Sequence, residues 1–548
     1  MNKLSDEQFD VVVVGSGAAG LTAAVTASLR GAEKVIVFEK ADLVGGTTAW
    51  SGGQVWIPNN PHMPEVGIED SREKALTYIM SLSRDMLDES LVESYVDAGP
   101  DMVTFLEKHT PVQFYSVEGM PDYHPEFPGG STEGGRTIEC PLYPFKELGE
   151  WEDRVTPSPY FANPNITMSE TPLGKAIPEI PGRDELSRRS EENERGCGQA
   201  LIGRLLRACL DQNVEIQTGC GVNELIVEKG QVCGVVVDTP EGVQRIRASR
   251  GVVLASGGFD WDEDLRRSFL RGPMTHPVSM ETTTGDGLRM SMKAGAMLAN
   301  MREAWWIPVA VVSTEENPMG RVLINGQRTL PHSIMVNRHG KRFTNEAANY
   351  NAFGAAFHVE DVSKFEYQNL PCWLVFDGTY AESYGFRVAS GVEGKGVADW
   401  VTRAESPEAL AELLGINGQN LKASIERWNR LCDEGHDPDF GRGDSAFDRW
   451  WGDPHRKGQR DATLGPLLKP PYYAVEIKSG CLGTKGGPKV DKHGRVVDID
   501  GEAIRGLYAA GNVMGSPFGM TYGGPGGTLG PAMVFGYLAA NHAVARND

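Results

Sequence analysis

Four consecutive valines, Val11-Val12-Val13-Val14, run directly into Gly15-Ser16-Gly17-Ala18-Ala19-Gly20. This order constrains the fold more than any other stretch of the chain. A β-branched run of this kind reads as a strand buried on both faces, and Leu21-Thr22-Ala23-Ala24-Val25-Thr26-Ala27 reads as the helix after it. The three glycines have separate duties. Gly15 permits the tight turn, Gly17 lets a pyrophosphate approach the backbone, and Gly20 lets helix and strand pack closely. Ser16, Ala18 and Ala19 are the small residues between them, at a helix N-terminus whose free N–H groups and dipole favour an anion. A second strand, Val35-Ile36-Val37-Phe38, ends on Glu39-Lys40. Glu39 stands about 20 residues past the turn, where a carboxylate holds a ribose hydroxyl. Strand, turn, helix, strand and acid in this order predict a dinucleotide-binding unit in an α/β fold.

The chain has 548 residues, enough for two or three domains and a large core. Its formal charge is −21, from 53 Lys and Arg against 74 Asp and Glu, which argues against nucleic acid or an anionic membrane held by electrostatics. The 66 glycines cluster in paired turns, as wrapping a cofactor requires. Eight cysteines are scattered without a CxxC pair, so neither a zinc site nor an iron–sulfur cluster is expected. The N-terminus lacks an apolar signal region, and no uncharged apolar stretch suits a membrane span. The expectation is a soluble cytoplasmic protein, with peripheral membrane contact left open.

Residues 71–108 read as helices, and 140–196, Pro-rich and charged, as a long surface excursion. Ala200-Leu201-Ile202-Gly203-Arg204-Leu205-Leu206 reads as an amphipathic helix, followed by strands at 214–216, 222–227 and 232–237. Val252-Val253-Leu254-Ala255-Ser256-Gly257-Gly258-Phe259 reads as another strand ending in a glycine pair. A second domain is expected over 304–483, opening on Trp305-Trp306, with a strand–turn–strand unit at 334–343. Residues 484–548 then return to the first domain, 1–303. Here Gly506-Leu507-Tyr508-Ala509-Ala510-Gly511-Asn512 is a strand and turn, and Tyr522-Gly523-Gly524-Pro525-Gly526-Gly527-Thr528-Leu529-Gly530 opens a last helix from Pro531 to about Ala545.

Which dinucleotide binds is read from resemblance. Gly45-Gly46-Thr47-Thr48-Ala49-Trp50-Ser51-Gly52-Gly53 resembles the flavin-contacting segment of fumarate reductase and 3-ketosteroid dehydrogenase flavoproteins. Gly46, Gly52 and Gly53 let the chain lie against a flat isoalloxazine, and the hydroxyls of Thr47, Thr48 and Ser51 can reach its edge or the phosphates. Members that link FAD covalently carry a histidine in this segment; none stands here, so dissociable FAD is implied. Ala255-Ser256-Gly257 resembles the segment that returns past the FAD phosphates. The same resemblance implies cofactor contacts at Val222, Gly511, Asn512, Gly527 and Leu529.

Pro121-Asp122-Tyr123, Asn345-Glu346-Ala347-Ala348-Asn349-Tyr350-Asn351 and Tyr522-Gly523-Gly524-Pro525-Gly526 together resemble the 3-ketosteroid Δ1-dehydrogenases. This implies a Rossmann-like FAD domain built from discontinuous segments, with an inserted α+β catalytic domain. The implied reaction removes a proton from the carbon next to a ketone and a hydride from the carbon beyond it. By the resemblance, the Tyr522 hydroxyl and the Gly526 N–H stabilise the enolate oxygen, Tyr350 is the base, and Tyr123 stabilises its phenolate by a hydrogen bond. The partners implied are a small ketone substrate and a quinone-like electron acceptor. Asn345 and Glu346 are orienting residues or plain surface, Trp305 and Trp306 core or pocket wall, and His124 and His332 solvated or structural. Three other readings stay open: a desaturase of a smaller cyclic ketone, a fumarate reductase-like enzyme, and a flavin-binding module without catalysis.

Overall fold

The computed structural model describes residues 6–545 except 162, 176–177, 313–319, 387–395 and 457. The valine run lies in the strand Asp6–Val14, which pairs in parallel with Val35–Phe38 on one side and with Gly242–Leu254, from Arg245 onward, on the other. Ala503–Ala509 adds a further parallel partner, matching Val252 to Leu507 and Val253 to Tyr508. Glu215–Gln217 extends the sheet beyond Val35–Phe38. Val11, Val12, Val13, Ile36, Val37, Val252, Val253, Leu254 and Leu507 are all wholly buried. Helices cover both faces of such a sheet, which is why its strands read as unbroken apolar runs.

The helix Ala18–Leu29 packs on this sheet beside Leu529–Ala545. Their approach is close: a Cβ on Gly536 would lie 2.5 Å from the Ala19 carbonyl oxygen. The chain's end is thus carried back onto the first helix. A second, mostly antiparallel sheet runs Arg321–Leu323, Ala304–Val311, Tyr472–Thr484, Cys372–Phe376, Ser333–Asn337. Tyr472–Thr484 is its spine, pairing with Ala304–Val311 through one half and with Cys372–Phe376 through the other.

Several boundaries differ from expectation. The strand expected over 252–259 ends at Leu254, and the last helix begins at Leu529 rather than Pro531. The strand–turn–strand unit at 334–343 keeps only its first strand, Ser333–Asn337; the return is a single bridge between Val336 and Arg342. The 140–196 stretch is not simply a surface excursion. Its helix Arg183–Glu191 buries nothing, whereas Tyr160, Phe161, Met168 and Leu173 reach inward to a large internal cavity. Among the described residues, no helix is long and apolar enough to cross a membrane, and no cluster of His, Cys, Asp and Glu could hold a metal.

Candidate active site

A continuous cavity, partly open to solvent and about 1860 Å³ when that open space is counted, runs from the glycine-rich turn to the three tyrosines. At one end Gly15, Ser16, Gly17, Ala18 and Ala19 form its floor, with Glu39 and Lys40 beside them. Gly15 has φ +105°, and a Cβ there would lie 2.5 Å from the Ala255 oxygen; one on Gly20 would lie 1.9 Å from the Gly15 oxygen. Both glycines are required by protein packing. Gly17 differs: a Cβ there meets nothing nearer than Thr48 Oγ1 at 3.6 Å. It faces open space, the cradle a pyrophosphate needs. The Ser256 hydroxyl is buried, lines the same cavity and has no protein partner. These features fit a dinucleotide.

Glu39 is buried and its carboxylate accepts from the Ser16 N–H at 3.0 Å, the Ser16 hydroxyl at 2.7 Å and the Ala41 N–H at 2.9 Å. Lys40 Nζ is paired with Asp286 at 2.6 Å. Thr48 Oγ1 accepts from the Ala18 N–H, and Thr47 Oγ1 from the Met280 N–H, each at 3.2 Å. Gly46, Ser51, Gly52, Gly53, Val222, Ala255, Gly257, Gly511, Asn512 and Leu529 also line the cavity. Gly20 and Gly527 do not. Gly20 lies against the Gly15 backbone, and Gly527 against the Tyr522 ring.

At the other end Tyr123, Tyr350 and Tyr522 meet. Their ring centroids are 5.4, 4.9 and 5.6 Å apart in the pairs 123–350, 123–522 and 350–522. The Tyr123 hydroxyl donates to that of Tyr350 at 2.8 Å, and Tyr350 to Tyr522 at 3.2 Å. The three are 3, 7 and 3% exposed. Burial pushes every one of these hydroxyls up, Tyr123 and Tyr350 well above the ordinary tyrosine value. Burial raises Tyr350 most, and the neighbouring Tyr123 and Tyr522 hydroxyls raise it further. Gly526 lines the cavity at φ +93°, where a Cβ would lie 2.6 Å from the Gln54 carbonyl carbon. Its N–H has no acceptor among the described residues.

Buried ion networks hold the tyrosines in place. Tyr123 follows Asp122, whose carboxylate accepts from Trp56 Nε1 at 2.9 Å, the Ser131 N–H at 2.9 Å and Arg136 Nη1 at 2.7 Å. Arg136 in turn forks onto Asp70 through two bonds of 2.8 Å. The Tyr123 N–H donates to the Gly523 oxygen at 2.9 Å, tying this loop to that of Tyr522. Tyr350 opens a short 3₁₀ turn capped by the Asn349 side chain. Glu346, four residues earlier and wholly buried, accepts from Arg342, from Arg442 and from the Met335 N–H. Burial alone would raise its carboxyl, but the two guanidiniums overcome this and hold it at about 2. Glu346 is therefore not plain surface, and Asn345 donates to Asp448 at 2.9 Å. His124 is a polar brace, 3.2 Å from the Asn349 amide. Trp305 is core behind the site: it is buried, and its ring lies 4.6 Å from that of Tyr522.

Three groups escaped the sequence reading. The excursion supplies Tyr160, Phe161, Met168 and Leu173 to the cavity wall, and nothing in its composition marks them. Thr528 touches the Tyr522 hydroxyl at 2.9 Å. Lys485 is wholly buried behind Trp305 and Tyr522; a lysine in a glycine-rich stretch between apolar strands was the signal available.

Comparison with known proteins agrees with this geometry. The FAD binding domain family matches residues 10–529. A 3-oxosteroid 1-dehydrogenase of Mycobacterium tuberculosis is 39% identical, over 98% of both chains. The chain belongs to this family of FAD-dependent dehydrogenases. Another member, 4-oxocyclohexanecarboxylate 2-dehydrogenase of Sinomonas cyclohexanicum, is 40% identical over 97% of this chain and 92% of its own. Among solved structures, the 3-ketosteroid Δ1-dehydrogenase of Sterolibacterium denitrificans, in complex with 1,4-androstadiene-3,17-dione, superposes with a TM-score of 0.89. It is 34% identical and covers 98% of this chain and 100% of its own. Membership of the family gives the chain FAD as its cofactor and an oxidoreductase activity.

Proposed function

We propose that this chain is a 3-ketosteroid Δ1-dehydrogenase, which introduces the C1=C2 double bond into the A ring of its substrate. One observation carries the reading: the three linked tyrosine hydroxyls and the Gly526 N–H open onto the same cavity as the nucleotide cradle. The ketone oxygen lies between the Tyr522 hydroxyl and the Gly526 N–H, where charge develops as the α proton leaves. Each such donor stabilises the enolate by about 3 kcal/mol. Tyr350 takes that proton, and Tyr123 orients it. Bound FAD supplies the hydride acceptor. The surrounding Trp305, Trp451 and Phe447 rings exclude water and strengthen these interactions.

The 40% identical cyclohexanecarboxylate enzyme makes a smaller cyclic ketone the second reading. The cavity wall favours the steroid. Met120, Phe161, Met168, Leu173, Ile307 and Leu323 are apolar, and the only cation among the described lining residues is Lys40, paired with Asp286. A carboxylate left there without a partner is strongly disfavoured. No arginine lines the cavity among the described residues, which sets the reading apart from fumarate reduction with an arginine acid. Anaerobic addition of androst-4-ene-3,17-dione is expected to bleach the flavin absorbance far faster than 4-oxocyclohexanecarboxylate at equal concentration. The reverse preference overturns the steroid assignment, and bleaching by neither leaves a non-catalytic flavoprotein.

Three further parts of this reading are also proposed. Residues 1–303 and 484–548 form the FAD-binding domain around an inserted 304–483; the partition of strands between the two sheets supports this. A quinone-like acceptor reoxidises the flavin. The protein works in the cytoplasm, with membrane contact at most peripheral.

A further inference from the structure

The tyrosine site leaves one chemical requirement unmet. Burial keeps all three hydroxyls protonated, yet Tyr350 must lose a proton before it can take one from carbon. The hydroxyl chain does not stop at Tyr522. Thr528 Oγ1 lies 2.9 Å beyond it, and Thr528 is a shared wall: it lines the large cavity and also a second, small one. The small cavity offers about 10 Å³ to the centre of a water molecule, room for one. Its walls are largely apolar, from Trp305, Met514, Pro517, Pro531 and Ala532; Thr528, Asn512, Ser516 and Lys485 are the polar side chains among them, the partners a buried water needs.

Lys485 has no exposed surface. Its Nζ donates to the Thr521 oxygen at 2.6 Å and lies 4.1 Å from the Trp305 ring centroid and 5.7 Å from that of Tyr522. It forms no ion pair among the described residues. The charged groups facing it are Glu303, engaged by Arg271 at 2.8 Å, and Arg271 itself. Burial brings the Lys485 ammonium down to about 7, with Glu303 opposing and Arg271 assisting. A buried lysine without a carboxylate partner is an unusual expense unless its neutral form is used.

We propose that Lys485 is the internal proton acceptor that ionises Tyr350, reached through Tyr522, Thr528 and one water in the small cavity. The inference rests on Tyr350 being the base. In each hop one O–H bond breaks as the next forms: Tyr350 to Tyr522, Tyr522 to Thr528, Thr528 to the water, and the water to the lone pair of neutral Lys485. The net change is one O–H bond lost at Tyr350 and one N–H bond gained at Lys485. Phenolate and ammonium result, and no electrons change hands. The Tyr522 hydroxyl then turns to the ketone, with the new ammonium behind its ring on the side where enolate charge develops. Proton abstraction from carbon neutralises Tyr350, and the Lys485 ammonium returns its proton through the water, Thr528 and Tyr522 to solvent in the emptied large cavity before the next cycle.

The test is the rate of anaerobic flavin reduction by androst-4-ene-3,17-dione, followed from acidic to alkaline pH in FAD-loaded protein. The wild-type rate is expected to climb with pH through about 7. Thr528→Val keeps shape but breaks the chain; it should lose that inflection and fall roughly 10-fold or more at pH 7, while Thr528→Ser restores both. Lys485→Met should behave like Thr528→Val. So should Lys485→Arg, which stays cationic and cannot accept a proton. Unchanged flavin absorbance and unfolding temperature in Thr528→Val exclude a folding defect. A Thr528→Val protein with wild-type rate and inflection overturns the relay, and so does a fully active Lys485→Arg. A Tyr350→Phe protein reduced at the wild-type rate instead removes the base on which the relay depends, so the two failures are told apart.

Discussion

The Tyr123 hydroxyl donates to the Tyr350 hydroxyl across 2.8 Å, joining side chains 227 positions apart in the chain. This bond strengthens when its acceptor becomes a phenolate, because a hydrogen bond to a charged group contributes about 1.5–3 kcal/mol. Removing the donor in Tyr123→Phe should therefore raise the apparent pKa of the base by about one to two units. At neutral pH kcat should drop about 10- to 100-fold, with much of the loss recovered at higher pH. A pH-rate profile checks this; an unshifted profile means Tyr123 only fills space.

Tyr350→Phe removes the base and leaves the ring. FAD should stay bound, because none of the cradle residues is touched, and kcat should fall by about 10² or more. Steady-state turnover beside the flavin spectrum checks it. Wild-type turnover eliminates Tyr350 as the base.

The sequence made the nucleotide unit legible because its demands are local. Gly15 answers to its positive φ in the turn, Gly20 to the Gly15 oxygen five residues back and Gly17 to the ligand the turn must admit, and the paired valine runs answer to burial on both faces of one sheet. The tyrosines were legible only through resemblance. Nothing near Tyr123 in the chain points to Tyr350, and their meeting depends on how two sheets and their loops pack. Composition left open whether 140–196 caps the active site, because a charged, proline-rich stretch does not mark the inward-facing Phe161, Met168 and Leu173. Glu346 looked equally like surface or support, since its partners Arg342 and Arg442 are drawn from opposite sides of the helical pair 407–434.

Gly17 and Gly20 separate binding from folding. A side chain at Gly17 enters the open cradle, whereas one at Gly20 collides with the Gly15 oxygen. Gly17→Val should fold and be purified without FAD, its circular dichroism close to that of the wild-type apoprotein. Gly20→Val should be poorly soluble or unfold at markedly lower temperature. A Gly17→Val protein that retains stoichiometric flavin removes the phosphate from this turn.

Glu346 ties the Tyr350 segment to Arg342 and Arg442 with no exposed surface on any oxygen. In Glu346→Gln both guanidiniums lose their counter-charge; Arg342 keeps Asp437 at 3.0 Å, but Arg442 is left buried without a carboxylate. Breaking such a pair costs about 3–5 kcal/mol, so the variant should unfold at lower denaturant than wild type at pH 7. The pH dependence follows from the carboxyl's depressed value, about 2 when folded against 4.5 when free. A depressed carboxylate adds stability that is complete above the free value and is lost as pH falls toward the folded one. That contribution is on the order of 3 kcal/mol and is absent from the glutamine protein. The stability gap between the two should therefore be constant above pH 4.5 and narrow as pH falls toward 2. Denaturant unfolding at a series of pH values measures it, and a gap that stays constant down the whole series means the Glu346 carboxylate is not what the two arginines hold.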